Sequence, residues 1–359
     1  ETREQWLTAT ETALADGPTG IGTLLGGFFN AAVSLAATPD ERIGRSAMLM
    51  ALEQAAGAIR TTAGALTRVA EGITQSAYLD VNGLNDERAA LTEVNTALRQ
   101  AANGGTAKAA IEDERDRLID AIAKRIDVNV AIADNGTAAL TLARATGVTL
   151  LDTTNRALVT LTQAADGRLS LELQANGTTV PLPATGGSLA ALVDVAASTA
   201  DKRRELDAVA ADFAADINAW SRQGLDQNGN PGADLLAITT GALSLRVLTS
   251  DPADVAAASA DGTANGNLLT LNALRAEGGA ESRWAALVAA QSQALAAARS
   301  EADAAATRRD NSFAARDEIT GIDLDHEAAE LLRFQQAYNG AAKIIQIARE
   351  TMQAIFAIL

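Results

Sequence analysis

The sequence predicts a mainly α protein: a long antiparallel helical bundle or coiled coil carrying one small inserted antiparallel β domain. Three observations predict it. Apolar residues hold a heptad frame over two stretches, Pro39–Asn103 and Thr320–Leu359. Between Asp127 and Pro183 the period changes to alternation, punctuated by Asn-Gly and Asp-Gly. The composition is 48% hydrophobic but only 3% aromatic, with alanine prominent, which suits close helix packing better than a bulky interior.

Taken in order, Glu1–Ala15 reads as a short helix closed by Asp16-Gly17-Pro18, and Thr23–Leu35 as a second. Thr38-Pro39-Asp40-Glu41 has the form of a helix start: Thr38 as cap, Pro39 at the first helical position, Glu41 completing a capping box. The following heptads place Leu49, Ala56, Ala63, Ala70, Ala77, Leu84, Leu91 and Leu98 in one row. Leu52, Ile59, Leu66, Ile73 and Val94 form its companion, broken by Asp80 and Glu87. A helix of about 60 residues would be roughly 90 Å long. Gly72 and Gly83 are candidate bends, and Asn103-Gly104-Gly105 is the first clear stop. Thr106–Arg125 reads as another helix.

Val128, Val130 and Ile132 then alternate toward the turn Asn135-Gly136, followed by Leu140 and Leu142. Val159 and Leu161 lead to Asp166-Gly167, and Leu169, Leu171 and Leu173 to Asn176-Gly177. The two Asn-Gly-Thr triplets match a glycosylation acceptor but are read as turns. Gly186-Gly187-Ser188 opens a helix from Leu189 to about Gln223, with Leu192, Val195, Leu206, Val209, Phe213, Ile217 and Trp220 on its apolar face. Leu243, Leu245 and Val247 suggest a strand. Asn267–Ala276 and Glu281–Ile319 return to helix, the latter burying Trp284, Leu287, Val288, Leu295 and Ala298. The expected divisions are 1–125, a helical segment; 126–185, the β domain; 186–319, a returning helical segment with a short β/loop excursion near 224–260; and 320–359, a coiled-coil helix.

That last helix carries the functional expectation. Leu324, Leu331, Tyr338, Ile345, Met352 and Leu359 form one row, and Phe334, Ala341, Ala348 and Ile355 a second. Each large side chain left in water forgoes roughly 1.5–3 kcal/mol, so these ten residues are the expected assembly interface.

The net charge of −16, without a dense basic run, argues against nucleic acid and anionic membrane surfaces. No cysteine is present, which removes disulfides, thiolate catalysis and cysteine metal sites; one histidine, His326, removes a multi-histidine site. No apolar stretch is long enough to span a membrane, and none follows Glu1–Gln5 as a secretory signal core. His326 lies among Asp323, Asp325 and Glu327 but lacks further metal ligands, and reads as a surface histidine. Carboxylate pairs such as Asp113/Asp116 and Glu327/Glu330 sit at helical spacing and read as solvation or ion pairs. Asp226, Asn228 and Asn230 have calcium-loop spacing, but Pro231 stands where a glycine is needed and Ala237 where the glutamate is needed, so a solvated loop is expected. No serine has a histidine partner, and neither a P-loop nor a dinucleotide fingerprint occurs. No enzyme activity, cofactor or metal is expected.

The run Leu324-Asp325-His326-Glu327-Ala328-Ala329-Glu330-Leu331-Leu332-Arg333-Phe334-Gln335-Gln336-Ala337-Tyr338 resembles the C-terminal signature of bacterial flagellar axial proteins, most closely the flagellar hook-associated protein 1 family. Phe28-Phe29-Asn30-Ala31 before Pro39 resembles another of its segments. Glu112-Asp113-Glu114-Arg115-Asp116-Arg117-Leu118 resembles its Leu-Asp-x-Arg-Asp-x-Leu run, with Glu112 in place of the leucine. Gly186-Gly187-Ser188-Leu189 and Asp251-Pro252 have counterparts, and the β region is weakest. The resemblance implies an extracellular structural adaptor joining hook to filament by helical self-assembly, exported by the flagellar type III pathway. Implied partners are further copies, the hook protein, the third hook-associated protein and an export chaperone holding the C-terminal helix. A third hook-associated or flagellin-like protein is the alternative, and a secreted binding module or enzyme a more distant one. On this resemblance the family's N-terminal helix, with its Asn-Asn-Ile-Ala-Asn-like signature, is expected to be missing before Glu1. A substitute contact is therefore expected at Ile345, Met352, Ile355 and Leu359.

Overall fold

A computed structural model describes residues 1–101, 106–143, 148–152, 157–175, 177–183, 186–276, 278–320 and 324–356. Two compact units result, Glu1–Arg299 and Ser300–Leu359. The first begins with α1 (Thr2–Ala13) and α2 (Ile21–Ala37), which lie against α3 (Arg42–Gln100). α3 runs unbroken for 59 residues, ~88 Å at 1.5 Å per residue. Gly72 and Gly83 do not end or bend it into two helices. They let other groups approach: a Cβ on Gly72 would stand 2.7 Å from the Trp6 ring of α1, and one on Gly83 2.6 Å from the Arg125 guanidinium.

The expected capping box before α3 does not form. Glu41, not Thr38, precedes the first helical residue and makes no side-chain cap. Thr38 instead ends α2, and its hydroxyl donates to Glu41 Oε2 (3.0 Å). The chain stays in a turn because Arg45 Nε donates to the Pro39 carbonyl (2.7 Å), using it outside any helical ladder.

α4 (Thr106–Arg125) returns along α3 and leads into six strands: β1 (Val128–Ile132), β2 (Ala138–Leu142), β3 (Thr149–Leu151), β4 (Leu158–Gln163), β5 (Leu169–Ala175) and β6 (Thr178–Leu182). They form two antiparallel three-stranded sheets, ordered β1-β2-β3 and β4-β5-β6. Turns at Gly136 and Gly167 have φ of +88° and +94°, as the Asn-Gly and Asp-Gly signals require; Asn135 Oδ1 accepts from both the Thr137 amide and hydroxyl. Asn176 lies outside the described residues. The alternation of β1 does not place it inside: Val130 and Ile132 are exposed, whereas Leu140 and Leu142 on β2 are buried.

α5 (Gly187–Gln223) then recrosses α3, and every apolar position expected on it is buried. Short ribbons follow: β7 (Gly224–Leu225) pairs with β10 (Ala258–Ser259), and β8 (Leu236–Ala237) with β9 (Arg246–Val247). The strand expected through Leu243 is instead a 3-10 turn, Ala242–Ser244. Asp207 Oδ1 accepts the Ala242 amide (2.7 Å) and Arg60 donates to the Leu245 carbonyl (2.8 Å), so side chains occupy groups a strand would pair. The helix expected at Asn267–Ala276 is α6 (Gly266–Leu271) followed by a 3-10 segment, Asn272–Arg275. α7 (Ala280–Thr320) buries Trp284, Leu287, Leu295 and Ala298, with Val288 partly buried.

Three hydrophobic clusters hold the first unit. One joins α2, the first half of α3, the second half of α5 and the short ribbons around Phe28, Leu52, Phe213 and Trp220. Another joins the second half of α3, α4, the sheets and Leu189 of α5. The third gathers Leu7, Ile73, Leu192 and Leu295 where α1, α3, α5 and α7 meet. The second unit holds α8 (Leu324–Phe356).

Candidate assembly surface

α8 is built from its heptads, and its interior contains no proline. It tolerates Gly340, which costs about 1 kcal/mol relative to alanine; nothing lies within 4 Å of the site of its missing Cβ. Of the ten expected interface residues, Leu331, Phe334, Tyr338, Ala341, Ile345, Ala348, Met352 and Ile355 are all exposed, from 56% at Ile355 to 76% at Tyr338 among the large ones. Leu332, Ile344 and Ile347 widen the stripe and are exposed too. The side chains of Leu324 and His326, and all of Leu359, lie outside what is described. Ile345, Met352 and Ile355, where a substitute contact is expected, are exposed.

The motif residues of the first unit serve its interior. Phe28 is fully buried, edge-on to Phe213 (6.1 Å, 89°) and to Phe29 (5.2 Å, 62°). Arg115 donates through Nη1 to the Gly136 carbonyl (2.6 Å), pinning the first hairpin turn, and Leu118 is buried in the core beneath the sheets. Asp116 accepts from Arg115 (2.8 Å) and Glu114 pairs with Arg117, which holds the Glu114 carboxyl below its usual range. Asp251 caps the Pro252 turn through the Ala253 amide (3.0 Å).

Asp80 and Glu87, which interrupt the α3 heptads, have a purpose the pattern alone did not reveal. Arg125, the last residue of α4, donates to Asp80 (2.6 Å) and to both oxygens of Glu87 (3.0 Å). Its guanidinium is held above its ordinary value, first by hydrogen bonding to Glu87. Ser188, at the start of α5, donates to the other Asp80 oxygen. Gly187 has φ +78°, and a Cβ there would overlap the Arg125 carbonyl. One polar joint thus binds the chain's exit into the sheets and its return. Spacing of seven between the two acids was the available signal; the cation 38 residues beyond Glu87 was not visible.

Sequence reading also missed four interior polar residues: Arg45, Arg88 and Asn95 are buried and Asn85 is partly buried. Arg45, 2% exposed, donates to the Val255 carbonyl (2.7 Å) and ties the start of α3 to the Pro252 turn. Asn85 donates to the Val159 carbonyl (2.8 Å) and accepts its amide (3.0 Å), and Asn95 does the same for Ala138 (2.8 Å each). Two asparagines on one helix thereby satisfy sheet backbone that no strand pairs. Arg88 is 8% exposed, its Nε has no hydrogen-bond partner, and burial lowers its pKa.

Asp226 accepts the amides of Asn228 and Asn230 (2.8 Å each), so its carboxylate closes its own loop. Burial pushes its pKa up, but the Asn230 and Asn228 hydrogen bonds and the charge of Arg45 together outweigh it and the net shift is down. Among the described residues no group of three or more acidic or histidine side chains is placed to hold a metal, and no helix is long and apolar enough to cross a membrane.

These observations describe a mainly helical protein with an exposed apolar face on α8. The family model described as flagellar hook-associated protein FlgK helical domain matches residues 7–236. The chain belongs to that family of flagellar hook-associated proteins. Among similar proteins, flagellar hook-associated protein 1 of Bacillus subtilis (strain 168) is 23% identical over 390 residues, covering 94% of this chain and 76% of that protein. Its namesake in Salmonella typhimurium (strain LT2) is 25% identical over 246 residues, covering 66% of this chain and 44% of that one. The solved structure of the flagellar hook junction protein FlgK from Burkholderia pseudomallei matches with a TM-score of 0.59 at 19% identity, over 66% of this chain and 44% of that one, and shares the fold. The chain thus spans less than half the length of the Salmonella and Burkholderia proteins.

Proposed function

We propose that this chain is a structural adaptor at the junction of the flagellar hook and filament, incorporated through helical self-assembly along the α8 seam. The observation that carries this reading is the row of exposed apolar residues on α8, Leu331, Phe334, Tyr338, Ile345, Met352 and Ile355. Burying such a row against other helices recovers roughly 1.5–3 kcal/mol per large side chain, which gives the assembly its driving force. Membership of the hook-associated family supplies the setting. In this reading the neighbours are further copies, the hook protein and the third hook-associated protein. The chain travels through the flagellar type III pathway, with a small helical chaperone covering the seam beforehand. Ala341 and Ala348 complete the seam on its small-residue side, and Leu324 and Leu359 extend it at either end.

The test is assembly in the parent bacterium. Leu331→Asp and Ile345→Asp each place a carboxylate in the seam. Both variants are expected to be absent from the hook–filament junction of purified flagella and to lose the chaperone in pull-downs. Normal flagella carrying either variant at the junction, or wild-type protein distributed along the filament, would overturn the reading.

A further inference from the structure

An asparagine followed by glycine carries the means of its own modification. The glycine amide nitrogen attacks the asparagine Cγ and a new C–N bond closes a five-membered succinimide. The Cγ–Nδ2 bond breaks, and ammonia leaves with the amide proton. Water then opens the ring at either carbonyl, giving aspartate or isoaspartate. Glycine favours the attack because no Cβ shields its nitrogen. The reaction needs a carboxamide free to turn onto the next amide, and an amide whose own hydrogen bond opens easily. Local structure therefore sets which Asn-Gly step reacts.

Among the described residues this step occurs at Asn82, Asn135, Asn228, Asn265 and Asn339; Asn103 and Asn176 lie outside them. Gly83 and Gly340 are inside α3 and α8, where the helical ladder takes their amides. At Asn135 the carboxamide oxygen accepts from the Thr137 amide (3.0 Å) and hydroxyl (2.8 Å), while the buried Gly136 donates to the Ala133 carbonyl (2.8 Å). Asn265 donates through Nδ2 to the Ala36 carbonyl (2.8 Å), and Gly266 is packed so closely that a Cβ there would strike the Ser259 hydroxyl. Asn228 differs on each count. It and Gly229 are exposed, and nothing lies within 4 Å of the site of the missing Gly229 Cβ. Asp226 holds Asn228 by its backbone amide, and the carboxamide has no hydrogen bond among the described residues. A single exposed turn bond, from the Gly229 amide to the Asp226 carbonyl (3.1 Å), has to open.

We propose that Asn228 is a self-modifying site, which converts to aspartate and isoaspartate in the folded protein ahead of the other four described steps. The product bears on the loop that holds it. It sets a second carboxylate two residues from Asp226, whose carboxylate closes the loop by accepting the Asn228 and Asn230 amides (2.8 Å each). Isoaspartate also adds a methylene to the backbone between those two amides, so the Asn230 amide no longer meets Asp226 in the same register.

The test is tryptic mapping of the full chain after storage, warm, in mildly alkaline buffer. The peptide 223–246, between Arg222 and Arg246, is expected to split into two products of equal mass, each heavier by the exchange of NH for O. Its other asparagine, Asn230, precedes Pro231, which has no amide proton to give up. Conversion at Asn228 is expected to outpace that at Asn135 by about tenfold or more, the ratio to which two hydrogen bonds of ordinary strength convert. In guanidinium chloride, with the chain unfolded, the rates at Asn135, Asn228 and Asn265 are expected to converge. Asn228→Gln would have to close a six-membered ring, and is expected to remove both products from this peptide while the other sites keep their rates. Three outcomes would overturn the proposal: Asn135 or Asn265 converting first in the folded chain, the same ranking folded and unfolded, or products that persist in Asn228→Gln. So would an Asn228 that stays intact in the folded chain over the time in which the unfolded chain converts it. None of these bears on the flagellar reading.

Discussion

Replacing Arg125 by alanine leaves Asp80 and Glu87 facing each other's field with no cation between them. The three side chains are 19–27% exposed, so the loss is intermediate between a surface and a buried pair, about 1–3 kcal/mol. A fall in the urea midpoint with unchanged slope measures it. Gly83→Ala gives a sharper reading. In the wild type the new methyl displaces the pinned guanidinium and destabilises; in Arg125→Ala the space is free and the helix gains up to about 1 kcal/mol from alanine. The substitution should therefore change sign between the two backgrounds, and equal effects in both would show that Arg125 does not occupy that space. Arg88 is the opposite case. Its Nε is buried without a hydrogen-bond partner and burial lowers its pKa, so Arg88→Met is expected to be neutral or stabilising by about 1 kcal/mol. A loss above about 1 kcal/mol would reveal a partner for the guanidinium.

At the scale of elements, the decisive contacts are those that let helices and sheets cross. α5 begins against the end of α4 because Gly187 takes a left-handed conformation with no side chain to strike the Arg125 carbonyl. Gly187→Ala meets both obstacles at once and is expected to cost more than about 2 kcal/mol, because backbone, not a movable side chain, blocks the methyl. Retention of wild-type stability would mean that the two crossings are not packed together. Glycines in a sequence suggest turns or bends; here Gly83 marks a close approach within a continuous helix and Gly187 a crossing. Periodicity located α3, α5 and α8 because heptads are local. It placed the strand too early, at Leu243 rather than at Arg246–Val247, because Asp207 and Arg60, far away in sequence, take backbone groups that a strand through Leu243 and Leu245 would use.

For the whole molecule, the chain divides into two compact units, Glu1–Arg299 and Ser300–Leu359. The three clusters that stabilise Glu1–Arg299 draw on residues of that unit, from α1 to α7 and the strands. Deleting 320–359 is therefore expected to leave the urea midpoint of the first unit unchanged within about 0.5 kcal/mol, while removing the seam. A loss larger than about 2 kcal/mol would show that the terminal helix supports the core.

The sequence by itself determined the helical rods, the β insertion between Arg125 and Gly186, and the apolar seam of α8, because hydrophobic period and turn chemistry are written within a few residues of one another. The family signature at Leu324–Tyr338 was likewise legible as a contiguous run. Only the tertiary structure decided that Asp80 and Glu87 are an anchor for Arg125, and that Asn85 and Asn95 hold sheet backbone that no strand pairs. Those outcomes depend on which groups meet across 38 to 74 residues of chain. A buried hydrogen bond or ion pair gives its partners no common sequence period; folding alone brings them within 3 Å.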